Sequence, residues 1–90
     1  MLNFAPWVFS MSLLLNKPLV IGIYQHYKGK RYEVIGEGRH SETLDELVFY
    51  RALYVSDQFP DTFLWVRPKA MFLEDILLDG QLVPRFQLIS

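Results

Sequence analysis

Beyond residue 18, the apolar positions of the chain fall into short runs that are separated by glycine, proline and acidic residues. This pattern is typical of small antiparallel sheets. It predicts a strand over residues 20–27, a tight turn at Lys28-Gly29 and a returning strand over residues 31–35. Glycines at positions 36 and 38 follow at once, so we expect the strand to weaken or bulge there.

The segment LVFYRALY, residues 47–54, fits two kinds of element. Thr43 and Glu46 match a capping box, and Leu44 begins an apolar spacing typical of a helix. Against this, one valine and three aromatic residues in eight positions favour a strand. We predict a strand with two alternating faces, one carrying Leu47, Phe49 and Leu53 and the other Val48, Tyr50 and Tyr54.

The last third of the chain predicts a polar loop over residues 56–62, a short strand over 63–67 ended by Pro68, and one helical turn over 69–72. The Asp79-Gly80 dipeptide predicts a type I′ turn between two final strands. Pro84 cannot donate a hydrogen bond to a ladder, so the last strand should lie at an edge or carry a bulge at that residue.

These elements predict a mainly β fold, because about five short strands cannot cover both faces of a flat sheet and should curl. An SH3-like barrel or a strongly bent antiparallel sheet of about five strands is expected, and an α+β sheet with one helix near residues 44–54 is the alternative. Residues 19–90 suffice for a single β-rich domain. Alternation assigns the core to Tyr32, Val34, Phe49, Leu53, Leu64, Val66, Phe72, Phe86 and Leu88.

The first 16 residues carry no charged side chain, which raises the question of a membrane segment or a signal peptide. Prolines and polar residues interrupt the run too often for a spanning helix, and the basic front end of a secretory signal is missing. Residues 1–18 are therefore interpreted as an apolar N-terminal extension. Met11 offers an alternative start; otherwise we expect the aromatic residues of the extension to dock on the domain or on a second subunit.

Charge and cysteine content narrow the function classes. Nine basic and ten acidic side chains give a net charge of −1, which disfavours a dedicated nucleic-acid binder or a protein held on an anionic membrane. The chain has no cysteine, so disulfides, a thiolate nucleophile and a zinc ribbon are excluded. We expect a cytoplasmic protein without a cofactor, since this composition fits a reducing compartment.

The stretch RHSETLDELVFYR, residues 39–51, contains the side chains that a catalytic centre would need. A triad would combine Ser41 with His40 or His26 and a carboxylate of Glu42 or Asp45. Adjacent side chains of an extended segment point apart, so we favour local hydrogen bonds that cap a turn. A metal site built from His26, His40, Glu42 and Asp45 is disfavoured, because their spacing matches no metal motif.

Aromatic and cationic residues on the predicted strands indicate a binding surface. Tyr24, His26, Tyr27, Tyr50, Arg51, Trp65 and Arg67 could line one groove suited to a carboxylate, phosphate or base-like ligand. The two arginines lie in otherwise apolar strands, where they either serve the ligand or pair with Glu33, Glu42 or Glu46. The predicted ligand-binding set is His26, Tyr27, His40, Ser41, Glu42, Tyr50, Arg51, Trp65 and Arg67.

Four runs of the sequence carry a family resemblance: GIYQHYKGKRYEVIG, RHSETLDELVFYRALY, LWVRPKAMFLE and DGQLVPRF. Together they resemble the bacterial domain-of-unknown-function family 1653, whose pattern includes a Tyr-His-Tyr-Lys-Gly opening, a His-Ser-Glu-Thr loop and a Trp-Val-Arg-Pro segment. The resemblance covers about three quarters of the chain. It implies no established activity, ligand or catalytic residue.

The sequence thus predicts a non-enzymatic module for a small anionic ligand or a peptide. The alternatives are a small hydrolase with His26 or His40 as general base and a weak RNA-binding module. We also expect self-association, as a homodimer, since an edge strand and the apolar N-terminus both offer contact surface.

Overall fold

A computed structural model describes residues 19–60 and 63–90 of the chain. The predictions made for residues 1–18 lie outside these ranges. Seven strands and one helical turn follow in chain order: β1 Gly22–His26, β2 Arg31–Arg39, β3 Glu46–Ala52, β4 Trp65–Pro68, α1 Lys69–Phe72, β5 Asp75–Leu78, β6 Gln81–Pro84 and β7 Phe86–Leu88. In this part of the chain, no helix has the length and hydropathy that crossing a membrane requires.

The strands form a five-stranded sheet with the order β4-β3-β2-β1-β7, and β5 and β6 form a separate two-stranded sheet. Neighbouring strands are antiparallel throughout. The predicted hairpins are confirmed, and both residues of the β5–β6 turn have positive φ, 52° at Asp79 and 81° at Gly80, as a type I′ turn requires. Pro84 is the last residue of β6, so its missing backbone N–H does not interrupt a longer strand.

LVFYRALY forms a strand over most of its length, because Glu46–Ala52 pair with both β2 and β4. The alternative of a helix near residues 44–54 is therefore wrong. The predicted irregularity of β2 is also present: the register with β3 shifts between Val34 and Gly36, so one extra residue bulges out.

The five-stranded sheet is strongly bent. Arg67 belongs to β4 and Phe86 to β7, at opposite edges of the sheet, yet the guanidinium carbon of Arg67 lies 5.5 Å from the centre of the Phe86 ring. In a flat sheet, four strand spacings would separate these edges by about 19 Å. The bent sheet is confirmed, whereas the SH3-like barrel is not, since the sheet stays open.

The core lies on the concave face of this sheet. Tyr24, Val34, Val48, Tyr50, Phe72 and Phe86 are buried, and Tyr32 packs against them. Phe72 of α1 closes one end of the concave face by stacking on Phe86, with ring centres 4.2 Å apart. The aromatic side chains thus form a continuous packed layer under α1.

The predicted core is wrong for five residues. Leu53, Leu64, Val66 and Leu88 are 39–54% exposed, and Phe49 is half-buried on the outer face. For Phe49 of β3 and Val66 of β4, the error arises because both faces of these strands are apolar, so alternation identifies two faces without telling which one meets α1. Leu53 and Leu64 lie outside the strands, and Leu88 ends β7. Phe49 instead lies on Gly38, where its ring comes within 3.0 Å of the position that a Cβ would occupy.

Candidate functional site

The loop between β2 and β3 is a hydrogen-bonded turn centred on His40. The imidazole Nδ1 of His40 accepts the backbone N–H of Glu42 at 3.0 Å and that of Thr43 at 3.2 Å. The backbone N–H of His40 bonds to the carbonyl of Asp45 at 2.9 Å, and Leu44 has a positive φ of 65°. His40 therefore stabilises the loop, and Thr43 Oγ1 adds a bond by accepting the backbone N–H of Asp45 at 3.2 Å. The local capping that we favoured over catalysis was expected of the serine, threonine and acidic side chains, and not of His40.

The triad hypothesis lacks its essential contact within the described residues. Ser41 Oγ donates to Glu42 at 3.4 Å, and neither His26 nor His40 bonds to a hydroxyl or a carboxylate there. The two histidines flank opposite ends of β2, a strand of nine residues, so they do not meet. Over residues 19–60 and 63–90, no three histidine, aspartate or glutamate side chains are grouped to hold a metal ion.

Arg51 is on the outer face of the sheet, away from the core. It lies opposite Glu33 in the β2–β3 register, and its Nε bonds to the Glu33 carboxylate at 2.7 Å. The arginine also lines a surface cavity of about 430 Å³ beside residues 52–56. Arg51 is thus separated from the concave face by strand alternation, and His40, Ser41 and Glu42 lie in the loop beyond the end of β2.

His26 and Arg67 are brought together on the concave face. The Phe86 ring contacts both: its centre is 5.0 Å from the imidazole and 5.5 Å from the guanidinium carbon. Phe72 covers one face of the Phe86 ring, so the guanidinium occupies its remaining surface, where the ring quadrupole attracts a cation. The side chain of Arg67 makes no hydrogen bond or ion pair with residues 19–60 and 63–90.

Positive charges surround His26. Burial, followed by the charges of Arg67, Arg85 and Lys28, holds the pKa of His26 below its ordinary value of 6.5. We call these four residues the cationic cluster. The backbone N–H of Lys28 donates to His26 Nδ1 at 3.2 Å, so the neutral imidazole carries its proton on Nε2 and offers a donor there.

The members of the cationic cluster differ in how many of their hydrogen-bond donors already have a partner. Arg85 donates to the Glu74 carboxylate at 2.6 Å and to the Met71 carbonyl at 3.2 Å. The Nζ atom of Lys28 lies 5.8 Å from the centre of the Tyr27 ring. Arg67, half-buried over an aromatic ring, keeps its donors available for a ligand within the described structure.

The predicted aromatic residues take three different positions. Tyr24 and Tyr50 are buried in the core, and the Tyr24 hydroxyl donates to the Val20 carbonyl at 2.6 Å. Tyr27 packs beside the His26 ring with centres 4.5 Å apart. Trp65 is 38% exposed on the concave face of β4, and is therefore available as a wall for a ligand.

Apart from Trp65, which the predicted ligand-binding set contains, a second group of residues was missed by the sequence reasoning. It lines a cavity of about 260 Å³, which we call the aromatic slot, formed mainly by Lys30, Ala52, Tyr54, Phe59, Phe63 and Trp65. The predicted turn at Lys28-Gly29 could have revealed Lys30, because a tight hairpin places it opposite His26. Ala52 ends β3 and Trp65 begins β4, whereas Tyr54, Phe59 and Phe63 belong to the connection between these strands, whose path no local pattern specifies.

Tyr32 links the aromatic slot to the cationic cluster. Its hydroxyl lies 3.0 Å from the Tyr54 hydroxyl, and its ring centre lies 5.8 Å from that of Phe86. Burial, reinforced by the hydrogen bond with Tyr54, raises the pKa of Tyr32, so its hydroxyl stays protonated. The slot and the cluster are therefore neighbours on one concave face.

An ionic group at the other end of the concave face was also missed. Lys69 is buried, and its Nζ lies 3.1 Å from Glu37 and 3.4 Å from Glu46. Burial alone would lower the pKa of Lys69, but the hydrogen bonds and charges of the two carboxylates outweigh it and raise the pKa. This group attaches α1 to β2 and β3.

The fold and site define a small domain with an open, bent sheet whose concave face carries aromatic and cationic side chains. The profile of the family described as protein of unknown function (DUF1653) matches residues 22–88, so the chain belongs to this family and the resemblance is confirmed. A crystal structure of a DUF1653 protein from Bordetella bronchiseptica is similar, with a TM-score of 0.73 and 28% identity over 82% of this chain and 91% of that chain. No curated protein matches.

Proposed function

We propose that the protein binds a small anionic ligand on the concave face of its sheet, with Arg67 and His26 as the principal contacts. The observation that carries the proposal is the cationic cluster itself: three cationic side chains act on one imidazole in a chain whose net charge is −1. An anion placed there would offset the positive charge of Arg67, Arg85 and Lys28, and its charge-assisted hydrogen bonds to a guanidinium are strong and directional.

The roles of the two residues follow from their donors. The planar guanidinium of Arg67 can hold a carboxylate or phosphate with two parallel hydrogen bonds, and its contact with Phe86 fixes its orientation. His26 adds a donor from Nε2 in its neutral form. Trp65 and Tyr27 provide aromatic contacts near these groups, as in ligand pockets that combine apolar walls with a few polar anchors.

Calorimetric titration with inorganic phosphate, acetate and citrate tests the proposal. We expect at least one of these anions to bind, and Arg67→Gln to weaken that binding tenfold or more, because a charge-assisted hydrogen bond contributes about 1.5–3 kcal/mol. Arg51→Gln is the matched control, since Arg51 pairs with Glu33 on the outer face. Equal losses in both variants, or no binding of any anion, would show the proposal to be wrong.

The anion should also change His26. Bound negative charge offsets the repulsion from Arg67, Arg85 and Lys28, so the pKa of His26 should rise when the anion binds. Following the His26 ring protons by NMR across pH, with and without anion, measures this shift. An unchanged His26 titration in the presence of a bound anion would place the anion elsewhere.

A further inference from the structure

The aromatic slot has the walls of a site for a flat ring. Phe59 and Trp65 line it as a pair packed edge to face, with ring centres 5.2 Å apart. Tyr54 also lines it, and the ammonium group of Lys30 lies over the Tyr54 ring, 4.1 Å from its centre. Ala52 also lines the slot, and its small side chain leaves space between larger neighbours.

The rim of the aromatic slot can bond to the edge of such a ring. Ser56 Oγ accepts the backbone N–H groups of Gln58 and Phe59 at 3.2 and 3.3 Å. Its own hydroxyl proton is therefore free to donate. Gln58 also lines the slot, and its side-chain amide supplies both donors and an acceptor. Aromatic walls with polar groups at the edge are how proteins recognise unpaired nucleobases.

The slot lies beside the cationic cluster. Trp65 and Arg67 are two residues apart on β4, so they share the concave face with a spacing of about 7 Å along the strand. Tyr32 bonds to Tyr54 on the slot side and packs against Phe86 on the cluster side. A ligand with a planar ring joined to an anionic group could therefore occupy both sites.

We propose that the ligand is a nucleoside monophosphate whose base enters the aromatic slot and whose phosphate binds Arg67 and His26. This inference rests on the proposed anion-binding function and assigns the ligand class to it. A cavity of about 260 Å³ suits one base better than a large cofactor, because pockets for drug-sized ligands are generally larger.

Calorimetry on the full chain with AMP, GMP, CMP and UMP tests this, with adenosine and inorganic phosphate as the two halves of a ligand. We expect at least one nucleotide to bind roughly tenfold more tightly than phosphate, the usual scale for stacking one base on an aromatic side chain. Ala52→Leu should remove this advantage by filling the slot while leaving phosphate binding unchanged. Arg67→Gln should weaken nucleotide and phosphate alike.

Val66→Leu is the matched control for Ala52→Leu, since Val66 is exposed on the outer face. Trp65→Leu gives a second removal of the base contact if Ala52→Leu fails to fold. Phosphate binding as tightly as every nucleotide would overturn the nucleotide assignment and leave anion binding intact. A single-stranded RNA oligomer binding tenfold more tightly than any mononucleotide would also overturn it. Absence of all binding would overturn both proposals.

Discussion

At the scale of single residues, His26 and His40 show that the same side chain has different contacts at different positions. Nδ1 of His40 accepts two backbone N–H groups and so stabilises a loop. His26 instead packs against Phe86 and faces Arg67. Residue type and local spacing were therefore enough to nominate both histidines, but only the contacts separate a structural role from a binding role.

The lowered pKa of His26 predicts a pH dependence of stability. Between the folded pKa and about 6.5, the unfolded chain binds a proton at His26 that the folded protein resists, so the free energy of unfolding falls as pH falls through this window. His26→Asn keeps an acceptor for the Lys28 N–H but cannot titrate. We expect urea unfolding at pH 7.5 and 5 to show a smaller loss for the variant, and equal losses would contradict the prediction.

At the scale of elements, the turns were predictable because their signals are local. Lys28-Gly29 and Asp79-Gly80 specify tight reversals through backbone conformations that few other residues adopt easily. In contrast, local signals did not predict which face of β3 points to the core. This depends on the bulge between Val34 and Gly36, and on which face α1 covers, and both are set by contacts distant in sequence.

The attachment of α1 depends on the balance between one buried ammonium group and two carboxylates. The double substitution Glu37→Gln with Glu46→Gln should leave Lys69 charged and buried without an anion, at a cost of about 3 kcal/mol. Lys69→Met should cost less, because Glu37 is 44% exposed to water and Glu46 keeps Arg39 as a partner, even though its Oε2 is buried. The measurement is the free energy of unfolding in urea for each variant at neutral pH.

Arg39→Gln provides a control for this comparison. Arg39 also approaches Glu46, at 3.4 Å, but its side chain is 62% exposed, so its loss should change stability by less than about 1 kcal/mol. Burial of Lys69, and not the number of ion pairs, would then explain the ranking. If Lys69→Met proves as destabilising as the double variant, packing of its aliphatic stem would be the larger contribution.

At the scale of the whole molecule, curvature decides which predicted residues belong to the candidate site. The sequence nominated Arg51 and Arg67 equally, since each lies in an apolar strand. In the bent sheet, Arg51 shares the outer face with Glu33, whereas Arg67 crosses the concave face to Phe86. The face on which each strand residue lies, together with the curvature of the sheet, separates the two arginines. Neither feature can be predicted from one strand alone.

Phe86 is the residue on which the bend, the core and the candidate site all depend. Its ring stacks on Phe72 and contacts Tyr50, His26 and Arg67. Phe86→Ala should cost about 3–5 kcal/mol, the usual range for removing a buried phenylalanine, and most of a small domain's stability. Urea unfolding measures this loss.

Phe86→Leu separates the two roles of the ring. Leucine retains much of the buried apolar volume but removes the aromatic surface beneath Arg67, so we expect a smaller loss of stability together with weaker phosphate binding. Phe49→Leu is the matched control, because Phe49 is half-buried on the outer face, where its ring lies on Gly38. The cationic cluster is on the opposite, concave face. A folded Phe86→Leu variant with unchanged anion affinity would show that Arg67 needs no aromatic support from across the bent sheet.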